Sequence, residues 1–139
     1  MKDTLTTGLT HQMTYTVPAN RTVPNLLPEA AEFETMPDVL ATGYMVGIIE
    51  WACMELLRPH LDDGEISLGT HVNFSHAAPT VPGSTVTIDV EVAEINRRAV
   101  TFKITAADEF ATISTGTHQR GVVNRDKFVS RLPEAPKES

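Results

Sequence analysis

The chain has 139 residues, of which 41% are apolar and 21% charged, as is typical of one globular domain with its own core. Its 18 acidic and 11 basic residues give a formal charge of −7, which argues against a nucleic-acid surface because such surfaces need clustered cations. Its single cysteine rules out an intrachain disulfide, and no segment has the ~20 apolar residues of a membrane span. Without an apolar run in residues 1–10 to serve as a leader, we expect a reduced, cytoplasmic protein.

The first predicted element is a strand over residues 11–17, where apolar and polar side chains alternate. Residues 18–41 follow, and prolines at positions 18, 24, 28 and 37 prevent long regular structure there. The same segment carries several large apolar side chains, including Phe33 and Met36, which is too many for a solvated linker. The composition fits a lid laid over another part of the protein, and it fits a loop packed on the core equally well.

The next element, residues 43–58, is predicted to be a long helix. Its apolar side chains recur at helical spacing, at Met45, Ile48, Ile49, Ala52 and Leu56. Further apolar residues widen that stripe until most of the helix circumference is apolar, so other structure should wrap around it. Thr42 stands where an N-cap is expected, and Pro59 cannot continue the helix.

The remaining sequence alternates with period two and predicts four antiparallel strands, within residues 69–77, 84–95, 98–106 and 110–123. The first of these strands should present four residues on one face: Thr70, Val72, Phe74 and His76. The second and third should turn two apolar rows inward: Val86, Ile88, Val90 and Val92, and Val100, Phe102 and Ile104. A polar tail is expected at residues 131–139, which leaves one domain over residues 1–130.

Together these elements predict an α+β architecture in which a curled antiparallel sheet wraps around one long central helix. That layout resembles the hot-dog fold. A sheet of this width covers the helix incompletely, so we expect a homodimer whose two sheets join edge to edge.

No standard catalytic signature occurs in the sequence, and no paired cysteines suggest a metal site. A zinc site at His71 and His76 is disfavoured, because an odd separation on a strand sends two side chains to opposite faces. What remains are isolated polar residues in apolar surroundings.

Glu50 is the most unusual of them, because it lies in the middle of the apolar helix. The side chains one turn away cannot pair with it: Val46, Gly47, Cys53 and Met54. An unpaired buried carboxylate resists ionisation, and such a group suits a general base or a nucleophile. A narrow strip of solvent, or an arginine from a strand, would explain Glu50 more simply, and periodicity alone favours that explanation.

Three other polar residues are weaker candidates. His76 should point inward near a strand end, where a structural histidine is the commoner finding. Thr42 is sufficiently explained as a helix cap. Arg120 shares a strand face with His118 and is either a surface ion-pair partner or an anchor for a phosphate or carboxylate.

Four segments resemble the fluoroacetyl-CoA thioesterase family of hot-dog enzymes: ATGYMVGIIEWACMELL, SLGT, NFSHAAPTVPGSTVTIDVEV and GTHQR. The resemblance runs from about residue 8 to residue 128. It implies that Thr42, Glu50 and His76 are the catalytic residues. It also implies that the backbone amide of Gly69 lies in the site and that Arg120 is near it.

The resemblance further implies that the segment over residues 18–41 is a lid covering the acyl group. Phe33 matches one of its two aromatic positions, but the second is Met36 in this sequence. Since methionine fills a pocket less definitely than a ring does, thioester hydrolysis is better supported than a preference for fluoroacetyl groups. Coenzyme A would enter as part of the substrate, with no other cofactor and no metal.

In the implied chemistry, Glu50 attacks the thioester carbonyl or activates water, Thr42 donates a hydrogen bond, and His76 moves protons. For a fluoroacetyl group, His76 could instead remove an α-proton. Thr42 and Glu50 would lie about 12 Å apart along one helix, so either the chain folds back at Thr42 or Thr42 of one protomer meets Glu50 of the other, and we favour the second arrangement. A non-catalytic acyl-CoA binding or sensing module and a hot-dog enoyl-CoA hydratase are the alternative functions.

Overall fold

Five antiparallel strands curl around one long helix in the computed structural model, which describes residues 1–137. The strands are β1 (Thr10–Thr16), β2 (Glu65–Phe74), β3 (Thr85–Asn96), β4 (Ala99–Ala107) and β5 (Thr112–Asn124). They form one sheet in the order β1-β3-β4-β5-β2, so β1 and β2 are its edges. The helices are α1 (Val23–Leu26), α2 (Ala31–Glu34), α3 (Thr42–Leu57) and α4 (Arg125–Ser130). The antiparallel sheet around one long helix is the arrangement that the sequence predicts, whereas the short helices α1, α2 and α4 were not predicted.

The long helix α3 lies against the inner face of the sheet because its apolar stripe is wide. The buried residues of that stripe are Met45, Ile48, Ile49, Ala52, Cys53, Leu56 and Leu57. Each large aliphatic side chain buried there contributes about 1.5–3 kcal/mol relative to exposure. The N-cap is Ala41, without a side-chain hydrogen bond, so the expectation that Thr42 caps the helix is wrong. At the other end, Arg58–His60 form a 3-10 turn.

The predicted inner rows of β3 and β4 are confirmed, since their apolar residues are buried. In β2 the predicted face holds for Val72 and Phe74 but not for Thr70, because a bulge between Gly69 and His71 shifts the alternation. Val72 faces the same side as its cross-strand partner, the fully buried His118, whereas Thr70 is the extra residue at the bulge. The strand ends at Phe74, two residues before His76.

Gly116 allows β5 to approach the end of β2 closely. Its φ of 150° lies in a region that other residues rarely adopt. A Cβ atom there would lie 2.1 Å from the carbonyl oxygen of Asn73 and 2.6 Å from the Cα atom of Phe74. Only glycine therefore permits this strand pairing, which holds the end of β2 in place.

The segment over residues 18–41 forms a closed loop on the open side of α3. An isolated antiparallel bridge joins Thr22 to Leu40, and the amide of Val23 donates to the carbonyl of Val39 at 3.0 Å. The short helices α1 and α2 lie between these anchor points. The two ends of the loop therefore meet at one place in the fold.

Beyond α4, residues 131–137 form no helix or strand. The last two residues of the tail predicted at 131–139 lie outside the described residues. Among residues 1–137, no helix combines the length and apolar character required to cross a bilayer.

Glu65, at the start of β2, provides a test of pH-dependent stability. Burial by itself raises the pKa of Glu65, but hydrogen bonds from the Met1 ammonium, the Asp62 amide and Arg98 outweigh it and lower the pKa from 4.5 to about 2. A lowered pKa stabilises the fold above pH 4.5, and this contribution is lost as the pH falls toward about 2. In Glu65→Gln we expect the free energy of unfolding to vary less with pH over that range.

Urea unfolding of the wild type and of Glu65→Gln at pH 7, 4 and 2.5 measures this difference. Glu94→Gln, an exposed position on β3, is the control. Equal pH dependence in the wild type and Glu65→Gln would contradict the assignment.

Candidate active site

Thr42 and His76 form the first of two polar clusters beside α3. The Thr42 hydroxyl and Nδ1 of His76 are 2.8 Å apart, so the start of the helix is joined to the loop that follows β2. Nε2 of His76 is buried without a hydrogen-bond partner among the described residues. Burial lowers the pKa of His76 against the opposing effect of a backbone contact at Ala78. The pair thus combines a hydroxyl with an imidazole that favours its neutral form.

A hollow of about 260 Å³ opens next to this pair. Besides Thr42 and His76 it is lined by apolar residues: Val23, Val39, Leu40, Ala77, Ala78 and Pro79. Three of them belong to the closed loop, and the amide of Leu40 donates to the carbonyl of Thr80 at 2.8 Å. The hollow therefore has small apolar walls with the hydroxyl and the imidazole at one side.

Glu50 and Arg120 form the second cluster. Nη1 of Arg120 donates to Oε2 of Glu50 at 2.9 Å. Arg120 is only 3% exposed, and it donates through Nε to the Ser67 hydroxyl at 2.8 Å and through Nη2 to the Ser67 carbonyl at 2.9 Å. An arginine from a strand, which was the partner expected under the simpler explanation of Glu50, is therefore present. The pair nevertheless faces a partly open surface, since the Glu50 side chain is 34% exposed.

His118 is completely buried behind Arg120. Its Nδ1 lies 2.8 Å from the carbonyl oxygen of His71 and must donate to it, so Nε2 accepts from Nη1 of Arg120 at 3.1 Å. Burial is the main effect that lowers the pKa of His118, and the nearby Arg120 charge also lowers it, against the bond to His71. The sequence analysis assigned no function to His118 or Ser67. For His118, the available signal was that it shares a strand face with Arg120.

Gly69 lies directly beneath the Glu50 carboxylate, opposite Arg120 in the pairing of β2 with β5. A Cβ atom at Gly69 would lie 2.7 Å from Oε2 of Glu50 and 3.4 Å from Cε1 of His118. The absence of a side chain therefore lets the carboxylate approach the strand and reach Arg120.

In Gly69→Ala the added methyl group should displace the carboxylate of Glu50 from Arg120. Misplacement by about 1 Å can cost about 10²-fold in rate, so we expect kcat of a reaction that uses the Glu50 carboxylate to fall by roughly 10- to 100-fold. Steady-state kinetics and urea unfolding measure the effect. Gly47→Ala is the control, because a Cβ atom there meets nothing within 4 Å. A fully active Gly69→Ala would show that the close approach is unimportant.

The predicted catalytic residues are divided between the two clusters within one chain. No hydrogen bond among residues 1–137 joins Glu50 to Thr42 or His76. Eight positions along α3 separate Thr42 from Glu50, which corresponds to about 12 Å of helix rise. Gly69 and Arg120 lie next to Glu50 in the middle of α3, whereas Thr42 and His76 lie at the start of α3.

The two predicted lid residues lie outside the hollow. Phe33, in α2, is partly buried, and Met36, two residues after α2, is 48% exposed. Neither residue lines the walls next to Thr42. Within residues 1–137, no three histidine, cysteine, aspartate or glutamate side chains are grouped to hold a metal ion.

Comparison with known proteins identifies close relatives. Residues 23–126 match the family model described as FlK, fluoroacetyl-CoA-specific thioesterase. The fluoroacetyl-CoA thioesterase of Streptantibioticus cattleyicolor is 40% identical over 132 residues, which are 95% of each chain.

Solved structures agree. A mutant of the fluoroacetyl-CoA-specific thioesterase FlK in complex with fluoroacetate and CoA superimposes with a TM-score of 0.87 at 40% identity, covering 89% of this chain and 99% of that one. A hot-dog-like protein from Thermanaerovibrio acidaminovorans gives a TM-score of 0.76 at 26% identity, covering 90% and 88%. The hot-dog fold expected from the sequence is confirmed.

Proposed function

The chain belongs to the fluoroacetyl-CoA-specific thioesterase family, and we propose that it hydrolyses a short acyl-CoA to the free acid and CoA through Thr42, Glu50 and His76. Family membership makes it an acyl-CoA thioesterase. Two contacts support this assignment. The Thr42 hydroxyl is paired with the neutral imidazole of His76 at the wall of a small apolar hollow, and the Glu50 carboxylate is held by Arg120.

The geometry gives each group a chemical role. Arg120 orients Glu50, whose carboxylate attacks the thioester carbonyl or takes a proton from an attacking water. The carbon–sulfur bond then breaks, and His76, neutral at rest, relays the proton that the water loses to the departing CoA sulfur. Where Glu50 attacks directly, a water molecule afterwards cleaves the acyl–Glu50 anhydride to give the free acid. Thr42 holds the ring of His76 in place through the contact at Nδ1. The amide of Gly69 is proposed to stabilise charge on the reacting oxygen.

A homodimer would bring the two clusters together. The edge strand β2 has unpaired backbone groups on one side, and Val72 on it is 46% exposed. Met54, on the same side of α3 as Glu50, is 44% exposed. The start of α3 lies at the end of β2, through Thr42 and His76, whereas Glu50 lies over Gly69 further back along β2. A two-fold axis beside β2 would therefore bring Thr42 and His76 of one protomer near Glu50 of the partner subunit.

Mixing two inactive variants tests this arrangement. Glu50→Gln and His76→Ala chains, unfolded together and refolded, should form heterodimers with one complete site if the site spans two protomers. Activity should then return to roughly a quarter of the wild-type value, because half of the dimers are heterodimers and each heterodimer has one complete site out of two. If each protomer held a whole site, the mixture would stay inactive.

The closed loop is proposed to act as the lid over the acyl group. It supplies Val23, Val39 and Leu40 to the hollow, whose size and apolar lining suit a short acyl chain. Phe33 and Met36 both lie outside the hollow, so no phenyl ring of the described residues lines it, and we propose that the enzyme accepts fluoroacetyl groups but discriminates less sharply among short acyl groups. We further propose a cytoplasmic enzyme, which agrees with the free thiol of the buried Cys53.

A thiol-release assay across acetyl-, fluoroacetyl-, propionyl-, crotonyl- and longer acyl-CoAs tests the proposed function. We expect the highest kcat/KM among the shortest acyl groups. Tight binding without release of CoA would instead indicate a sensing module. Hydration of crotonyl-CoA without release of CoA would indicate a hydratase.

A further inference from the structure

We propose that His118 is a positioning residue for thioester hydrolysis, which holds Arg120 so that Glu50 is bound through one oxygen only and keeps the other for chemistry. This inference rests on the proposed function, in which the Glu50 carboxylate reacts. It assigns a role to a residue that itself lies too deep in the protein to contact substrate.

The hydrogen-bond directions around His118 are determined by the backbone. A carbonyl oxygen can only accept, so the contact with the His71 carbonyl at 2.8 Å places the ring proton on Nδ1. Nε2 then presents a lone pair to Nη1 of Arg120, 3.1 Å away. A second proton on the ring would point at the guanidinium, and burial disfavours that charged form.

The guanidinium of Arg120 has five N–H groups, and its surroundings take up most of them. Ser67 accepts from Nε through its hydroxyl and from Nη2 through its carbonyl. Nη1 has two hydrogens, of which His118 accepts one and Oε2 of Glu50 accepts the other.

This arrangement differs from the usual pairing of an arginine with a carboxylate. Such pairs are frequently bidentate, with both carboxylate oxygens on the guanidinium. Here Ser67 accepts the hydrogen of Nε and one hydrogen of Nη2, and His118 accepts the second hydrogen of Nη1. The carboxylate of Glu50 is held by Oε2 alone, and Oε1 accepts no hydrogen bond within residues 1–137. A nucleophile or general base needs a carboxylate oxygen that is free of hydrogen bonds. By accepting the second hydrogen of Nη1, His118 keeps that hydrogen away from Oε1 of Glu50.

Two substitutions separate this role from packing. In His118→Gln the side-chain amide reaches the position of Nε2, where its oxygen can accept from Arg120. In His118→Asn the amide reaches only the position of Nδ1, so it can keep the bond to His71 but leaves Arg120 with a free hydrogen. Both variants lose the edge-to-face contact between the ring and Phe74, at 6.3 Å between centroids, so they are matched in lost aromatic packing.

We expect kcat for thiol release to fall by roughly 10- to 100-fold in His118→Asn, because Glu50 is drawn further onto Arg120, with KM changed by less than about 3-fold. His118→Gln should lose less than about 5-fold in kcat. His60→Asn, at a partly exposed histidine that contacts Thr4, is the control. Equal losses in the Asn and Gln variants would overturn the proposal.

The tautomer of the wild type provides a readout that needs no activity. In ¹⁵N-labelled protein, ring correlations of His118 should show a protonated Nδ1 and an unprotonated Nε2, and the opposite tautomer would overturn the proposal even if the variants fail to fold. If the wild type releases no thiol from any acyl-CoA, the proposed function fails. The ¹⁵N correlations would in that case still show whether Nε2 of His118 accepts from Arg120.

Discussion

In the Glu50→Gln variant we expect kcat for CoA release to fall by about 10²- to 10⁴-fold, the range attributed to a positioned acid or base. The amide oxygen of glutamine can still accept from Arg120, so the fold should be retained. A neutral amide, however, neither attacks a thioester carbonyl nor removes a proton from water. Steady-state kinetics with the best acyl-CoA of the panel measure the loss.

Glu55→Gln is the matched control, since Glu55 lies on the same helix and pairs with Nε2 of His11 at 2.7 Å, outside both polar clusters. It should retain the wild-type kcat. If Glu50→Gln kept near wild-type turnover, the carboxylate would have no direct role and the proposed site would be wrong.

Arg120→Met should destabilise the fold by about 2–4 kcal/mol, as well as reduce activity. The change removes a buried cation and leaves Glu50, Ser67 and His118 without their shared donor. Urea unfolding measures the stability, and thiol release measures the activity. Lys103→Met, an exposed position on β4, should change the free energy of unfolding by no more than about 0.5 kcal/mol.

Arg120→Lys distinguishes charge from geometry. Lysine keeps the positive charge, but its single ammonium group cannot reproduce the planar fork that reaches three partners. We expect a stability between those of the wild type and Arg120→Met, with activity close to that of Arg120→Met. Activity equal to that of the wild type would show that charge alone orients Glu50.

Hydropathy periodicity predicted the central helix and the inner rows of β3 and β4 because these elements are regular and bury one continuous face. It failed at Thr70 in β2, where the bulge after Gly69 shifts the alternation without any compositional signal. It also placed His76 on a strand that ends at Phe74. Irregular backbone is determined by tertiary pairing, which local spacing does not encode.

The pair of Glu50 and Arg120 shows the same limit in the site. The two residues are 70 positions apart in sequence and meet only because β5 lies beside β2 under the helix. Sequence reasoning could identify Glu50 as a charged group in an apolar helix, but it could not choose its partner. The role proposed for His118 depends on a contact with a main-chain carbonyl, to which residue type gives no clue.

The bridge between Thr22 and Leu40 has an evolutionary consequence. Because the chain leaves and re-enters the body of the protein at adjacent points, residues 23–39 can be exchanged as a cassette at little cost in loop-closure entropy. If this loop covers the acyl group as proposed, recombination or drift within the cassette would alter the acyl-group preference among descendants and leave the side chains of the sheet unchanged. Gly69 and Arg120, which belong to the sheet, would be inherited unchanged.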